Sequence, residues 1–159
     1  MSNDSTPILA ASTLHHTVSD YLSCVQIVMV NTTLPANIGS AARAMHTMGL
    51  SRLTVIDPKL PIDETSVSHA AGGSDLLSSA TIAPTLESAI ADCQLVFAAS
   101  SRSRHLPRPV VTPTQAAKIM FDFIDKQTAL DVADNNQNTK LSENAQSTNK
   151  PNIAILFGR

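Results

Sequence analysis

Residues 27–58 read IVMVNTTLPANIGSAARAMHTMGLSRLTVIDP and contain a complete strand, loop, helix, strand unit. Ile27-Val28-Met29-Val30 is a short apolar run rich in β-branched residues, the composition of a strand buried on both faces of a parallel sheet. A polar loop containing Pro35 follows. From Asn37 the apolar residues fall at Ile38, Ala41, Ala42, Met45 and Met48, the spacing of one helical face, and Gly49 supplies a stop. Leu53-Thr54-Val55-Ile56 is the next strand, closed by Asp57-Pro58. Parallel neighbours need such a crossover helix, and its hand is predicted to be right.

The helix entrance, Asn37-Ile38-Gly39-Ser40-Ala41-Ala42-Arg43, is crowded with small side chains. Asn37 is predicted to cap the helix, and Gly39 and the alanines admit either another backbone or a ligand. Arg43 lies off the apolar stripe. Two readings stay open on pattern alone: a tight packing contact with a solvated Arg43, or one wall of a site.

Outward from this unit the same alternation continues. A short helix is expected over 66–71, ended by Gly72-Gly73, then a brief strand at Thr81-Ile82-Ala83. Thr85 is a plausible N-cap for a helix carrying Leu86, Ala89 and Ile90, and 94–99 reads as a fourth buried strand. The loop after it holds Arg102, Arg104, His105 and Arg108, the most basic stretch of the chain. Ligands of open parallel sheets bind beyond the carboxyl ends of the strands, so this loop is either a binding element or a charged surface turn. Residues 114–124 form an amphipathic helix in which Ala117, Met120, Phe121 and Ile124 share a core face. Residues 125–150 are rich in Asn, Gln, Asp, Ser and Thr and read as a low-complexity, disordered insertion. Residues 153–158 are a last buried strand, and the turn after it never develops, which leaves one sheet face short of a covering helix. The fold class is therefore α/β, an open, mainly parallel sheet with flanking helices.

Composition narrows the function. A chain of 159 residues with 43% hydrophobic residues builds one core, and a net charge of −2 means that any nucleic-acid contact must come from a local patch. Aromatic residues at 3%, with no Trp, argue against a base-stacking platform and favour contacts to backbone and ribose. Cys24 and Cys93 read as buried thiols of a reduced compartment rather than as a disulfide or zinc framework. Residues 1–24 read as a flexible extension, in which His15-His16 lack a third metal ligand. No apolar run approaches the roughly 20 residues of a membrane span, and Asp4 without Lys or Arg before 8–11 does not make a secretory signal, so a cytoplasmic protein is expected. The glycine signatures of dinucleotide, P-loop and nucleophile-elbow enzymes are missing from the sequence.

The run from NTTLPANIGSAARAMHTMGL through LTVIDP resembles the first motif of the SpoU branch of the SPOUT RNA 2′-O-methyltransferases, and is most similar to the bacterial tRNA cytidine/uridine enzymes within it. The likeness continues through SHAAGGSDLL, LESAIADCQLVFAASSRSRHLPRP and the final IAILFGR. It implies the N-terminal part of an α/β-knot domain over 25–159, S-adenosyl-L-methionine as methyl donor, a pyrimidine ribose of a tRNA anticodon loop as acceptor, a homodimer when complete, and no metal. By the same resemblance Arg43 and Asn37 are catalytic, Ala99, Ser100, Ser101 and Gly158 line the donor pocket, and Arg102, Arg104 and Arg108 contact RNA. Relatives tend to carry Thr-Ser-Ala-Arg where this chain has Ala99-Ser100-Ser101-Arg102, which weakens the transfer of side-chain roles more than of position. The Glu-Gly continuation after Gly158 and a later Ser-Leu-Asn motif, which would complete the donor-binding knot, do not occur in the sequence. The expectation is thus a fragment or truncated product, inactive as it stands, or alternatively a noncatalytic remnant that retains RNA or partner binding.

Overall fold

A computed structural model describes residues 17–100, 108–137 and 150–158. Five strands, β1 (Val25–Val30), β2 (Arg52–Ile56), β3 (Thr81–Ala83), β4 (Leu95–Ala98) and β5 (Ile153–Gly158), form one sheet in the spatial order β3-β2-β1-β5-β4. Every neighbouring pair is parallel. The last strand in sequence inserts between the first and the fourth. The helices are α1 (Val18–Ser23), α2 (Pro35–Met48), α3 (Glu64–Ala70), α4 (Ser74–Ser78), α5 (Leu86–Ile90) and α6 (Pro113–Gln137), with a 3₁₀ turn at Ala71–Gly73.

The two faces of the sheet are covered unequally. On one, Ile27, Leu53 and Val55 meet Ile38, Ala42 and Met45 of α2, Ala70 of α3 and Leu77 of α4. On the same side Val25 and Ile153 pack under Tyr21 of α1 and under Met120, Phe123 and Ile124 of α6. The opposite face buries Val28, Ile56, Ala83 and Ala154 beneath the short α5 alone among the described residues. The buried Gln26 fixes that helix: its amide Nε2 donates to the Ala89 carbonyl at 2.9 Å, and its Oε1 accepts from the Thr54 hydroxyl at 3.4 Å. Val96 and Ala98 of β4 remain exposed.

The structure departs from three of these expectations. The unpatterned extension ends in a helix, α1, because Thr17 and Asp20 form a reciprocal capping box that satisfies its first turn. The low-complexity segment begins as helix as well, since α6 runs on to Gln137; residues 138–149 lie outside the described residues, as do His15 and His16. The buried stripe of α6 is Met120, Phe123 and Ile124, while Phe121 sits on the rim, stacked on Tyr21 with ring centroids 4.6 Å apart.

Tyr21 also ties α1 to the newly helical part of α6, donating its hydroxyl to Asp125 Oδ1 at 2.6 Å. That hydrogen bond, reinforced by desolvation and by the carboxylate charge, pushes the phenol up to about 12. An acid with a raised folded-state value contributes stability that is fully present below the unfolded value of about 10 and is lost as pH rises through the folded one. Tyr21 is the sole tyrosine of the chain, so phenolate absorbance reads it directly. The expected midpoint lies more than one pH unit above that of an Asp125→Ala variant; coincident midpoints would show that the contact does not form in solution.

Candidate functional site at the carboxyl edge of the sheet

The carboxyl ends of β2, β1, β5 and β4 lie along one edge, and the chain leaves two of them through strained turns. Asn31, just after β1, and Asp57, just after β2, have φ of 48° and 40°. Asn and Asp tolerate this left-handed region better than other non-glycine residues. The Asn31 amide donates to Asp57 Oδ2 at 2.7 Å, and Lys59 Nζ pairs with the same carboxylate at 3.0 Å. A second link, from the Lys59 N–H to the Thr32 carbonyl at 2.9 Å, pins the loop that feeds α2.

Helix α2 starts earlier than the sequence pattern suggested. Leu34 occupies the N-cap position and Pro35 the first turn, where its missing N–H costs nothing. Asn37 is consequently not the cap; it is an exposed residue of the first turn whose N–H donates to the Leu34 carbonyl at 3.0 Å. Arg43 is exposed and makes no ion pair or side-chain hydrogen bond among the described residues. Its helix is held in place by α3. A Cβ on Gly39 would collide with the Ser66 carbonyl oxygen, and one on Gly73 would lie 2.6 Å from the Ala42 carbonyl oxygen. The fully buried Ser66 hydroxyl donates to the Pro35 carbonyl at 3.0 Å. Of the two uses open to Gly39, the structure shows the close approach of another backbone.

At the other end of the edge, the Ala99 N–H donates to the Leu156 carbonyl at 2.9 Å, extending the β4–β5 ladder by one residue. Ala99 and Ser100 are exposed. Gly158 has φ of 137°, and a Cβ there would strike the Val30 carbonyl oxygen, so this glycine lets β5 stay against β1 to its last residue. Phe157 beside it is 44% exposed. Arg108 is exposed at the return from the basic loop; Ser101, Arg102 and Arg104 lie outside the described residues. The structure thus sets Asn37 and Arg43 on α2, and Ala99, Ser100 and Gly158 at the ends of adjacent strands. One shallow concavity lies elsewhere, around Cys93, Gln94, Lys150 and Asn152, and another, around Pro58, Lys59, Pro61, Ile62 and Ile82, adjoins the Asp57–Lys59 turn of this edge.

Other chemistries find little support. Cys24 is buried and Cys93 half-buried rather than fully so, and burial pushes both thiols up, away from the reactive thiolate. Among the described residues no cluster of His, Cys, Asp or Glu could hold a metal ion, and no helix is long and apolar enough to cross a membrane.

Residues 24–159 match the profile of the SpoU rRNA Methylase family. The chain belongs to that family. Among curated SpoU relatives, the tRNA (cytidine/uridine-2'-O-)-methyltransferase TrmJ of Cronobacter sakazakii is 44% identical over 138 residues, which is 87% of this chain and 46% of the relative. The tRNA (cytidine/uridine/adenosine-2'-O-)-methyltransferase TrmJ of Pseudomonas aeruginosa is 38% identical over 104 residues, 65% of this chain and 40% of the relative. The chain therefore spans about half the length, or less, of these curated relatives. Solved structures agree on the architecture. A probable methyltransferase from Bordetella pertussis superposes with a TM-score of 0.68 at 29% identity, covering 87% of this chain and 71% of that one. TrmJ of Z. mobilis gives 0.63 at 31% identity, covering 84% and 48%. The five-stranded parallel sheet with flanking helices is thus the SpoU methylase fold.

Two groups, one at this edge and one beside α2, were not singled out as functional from sequence. The Asn31–Asp57–Lys59 cluster carries no motif signal beyond Asp57-Pro58. His69 was legible only as a letter of SHAAGG, because its placement beside α2 depends on Gly39, thirty positions earlier in the chain.

Proposed function

We propose that this protein contributes to S-adenosyl-L-methionine-dependent 2′-O-methylation of a pyrimidine ribose in tRNA, acting in the cytoplasm as a homodimer, with the anticodon loop as the region modified. The supporting observation is Arg43: a cationic side chain without a protein partner, exposed on a helix that buried backbone contacts hold in place. An unpaired charge carried on a helix held in this way is available to substrate.

The described residues fit one wall of a donor pocket. Phe157 offers exposed apolar surface, and the small, exposed Ala99 and Gly158 stand at the ends of the neighbouring strands. The donor supplies an electrophilic methyl group on a sulfonium. Ala99, Ser100, Ser101 and Gly158 would hold it, and Asn37 would shape the helix entrance beside the ribose. Arg43 stays charged throughout, because a guanidinium does not release its proton near neutral pH. Its role is to orient the RNA phosphate and to stabilise the negative charge that develops on the ribose oxygen. Arg102, Arg104 and Arg108 would grip the backbone, the local basic patch that a net charge of −2 requires.

The direct test incubates the full-length protein with S-adenosyl-L-methionine and unmodified tRNA, then digests the RNA to nucleosides for mass spectrometry. The expected product is 2′-O-methylcytidine or 2′-O-methyluridine, present only with donor. Binding of tRNA without product would instead favour a noncatalytic protein that retains RNA binding.

A further inference from the structure

An Arg43 that keeps its proton leaves the ribose hydroxyl's own proton without a destination. We propose that His69 accepts it, an inference that rests on the methyl-transfer reading above. Helix α3 and the 3₁₀ turn after it run along α2 in the same direction: Ser66 lies against Pro35 and Gly39, Gly73 against Ala42, and Gly72 beside His46. Within that seam the Cβ of His69 lies 2.9 Å from the position a Cβ would take on Gly39. Gly39 and Arg43 are one turn apart on the same face of α2, about 6 Å along its axis. His69 and Arg43 therefore belong to adjacent turns of two helices locked together by backbone contact, and both side chains are exposed, so one bound ribose can meet both.

The ring is also set up chemically. His69 Nδ1 is 2.8 Å from the Thr65 carbonyl oxygen. A carbonyl only accepts, so in the neutral ring Nδ1 carries the hydrogen and Nε2 carries the lone pair. Among the described residues no group hydrogen-bonds Nε2. Orientation of a basic nitrogen by a hydrogen bond on the opposite ring nitrogen is the arrangement a histidine general base needs. In the step, the ribose O–H bond breaks and an N–H bond forms at Nε2. The electron pair left on oxygen forms the bond to the methyl carbon of the sulfonium donor, whose sulfur departs with its own pair. The imidazolium then returns its proton to water.

His69→Gln and His69→Ala are compared with wild type in the full-length protein at saturating donor and tRNA. A general base is worth about 100-fold or more in rate. Both variants are expected to lose about 100-fold in kcat, with KM for tRNA within about threefold, and added imidazole is expected to restore His69→Ala but not His69→Gln. Because His46 lies in the same seam, His46→Gln is run in parallel and is expected to keep the wild-type rate. Independently of activity, ring nitrogen shifts of His69 in the free protein are expected to show the Nδ1–H tautomer. An active wild type with His69→Gln at parental rate, or an Nε2–H tautomer, overturns the proposal alone, as does transfer of the effect to His46→Gln. A wild type that methylates no tRNA overturns the underlying reading with it.

Discussion

Arg43→Ala is expected to lower methyl transfer by about 100- to 1,000-fold while leaving the melting temperature and far-ultraviolet spectrum unchanged. The size follows from the cost of removing one preorganised group that faces developing negative charge. The separation of activity from stability follows from the structure: the side chain is exposed and has no partner among the described residues, so truncation leaves no buried group unsatisfied. Lysine at the same position separates two roles. A charged but non-planar ammonium keeps the electrostatic contribution and loses bidentate phosphate contact, so Arg43→Lys should recover part of kcat and weaken tRNA affinity. If Arg43 were instead the proton acceptor, lysine would introduce a new, lower break in the pH–rate profile with a near-normal plateau. An Arg43→Ala protein within threefold of wild type would remove Arg43 from the site altogether.

What the sequence disclosed depended on the range of the interaction concerned. The β1–α2–β2 unit could be read because its signals are local: a β-branched run, a 3.6-residue period, a stop glycine, a second run. Thr85 likewise caps α5 through Ser88, three residues away. Order within the sheet was less accessible, since β5 pairs with β1 across more than a hundred residues. The misplaced start of α2 has a local cause. Asn37 is the better cap by side chain, but Pro35 fixes a helical φ two residues sooner and Leu34 supplies the extended backbone before it. The extent of α6 was missed because the polar composition after Ile124 hides a helix anchored by a long-range hydrogen bond, Tyr21 to Asp125. The site shows the same division. Arg43 and Gly158 could be proposed from motifs, whereas the reason for Gly39 and the position of His69 required knowing that α3 folds back onto α2.

That packing makes Gly39 the most sensitive position of the helix, and Gly39→Val is expected to destabilise the protein by about 3 kcal/mol or more, lowering Tm by about 10 °C. Two effects oppose each other. Replacing a mid-helix glycine normally stabilises, by about 1 kcal/mol for alanine, through reduced chain entropy and better helix propensity. Here the added Cβ meets the Ser66 carbonyl oxygen and lies 2.9 Å from the Cβ of His69. Neither obstacle is the free end of a flexible chain: one is backbone, and the other is a Cβ fixed to it. Ser66 cannot yield easily either, because it is fully buried and its hydroxyl is committed to Pro35. Overpacking therefore outweighs propensity, and relief requires α3 to move off α2. Gly39→Ala should sit between wild type and Gly39→Val in chemical denaturation, with the order Gly, Ala, Val in falling stability. A stabilised Gly39→Ala would mean that the two helices stand further apart in solution. Because Arg43 and His69 occupy opposite sides of this contact, residual Gly39→Ala protein held well below its melting temperature should be folded yet slow in transfer, its deficit appearing in kcat rather than in tRNA affinity.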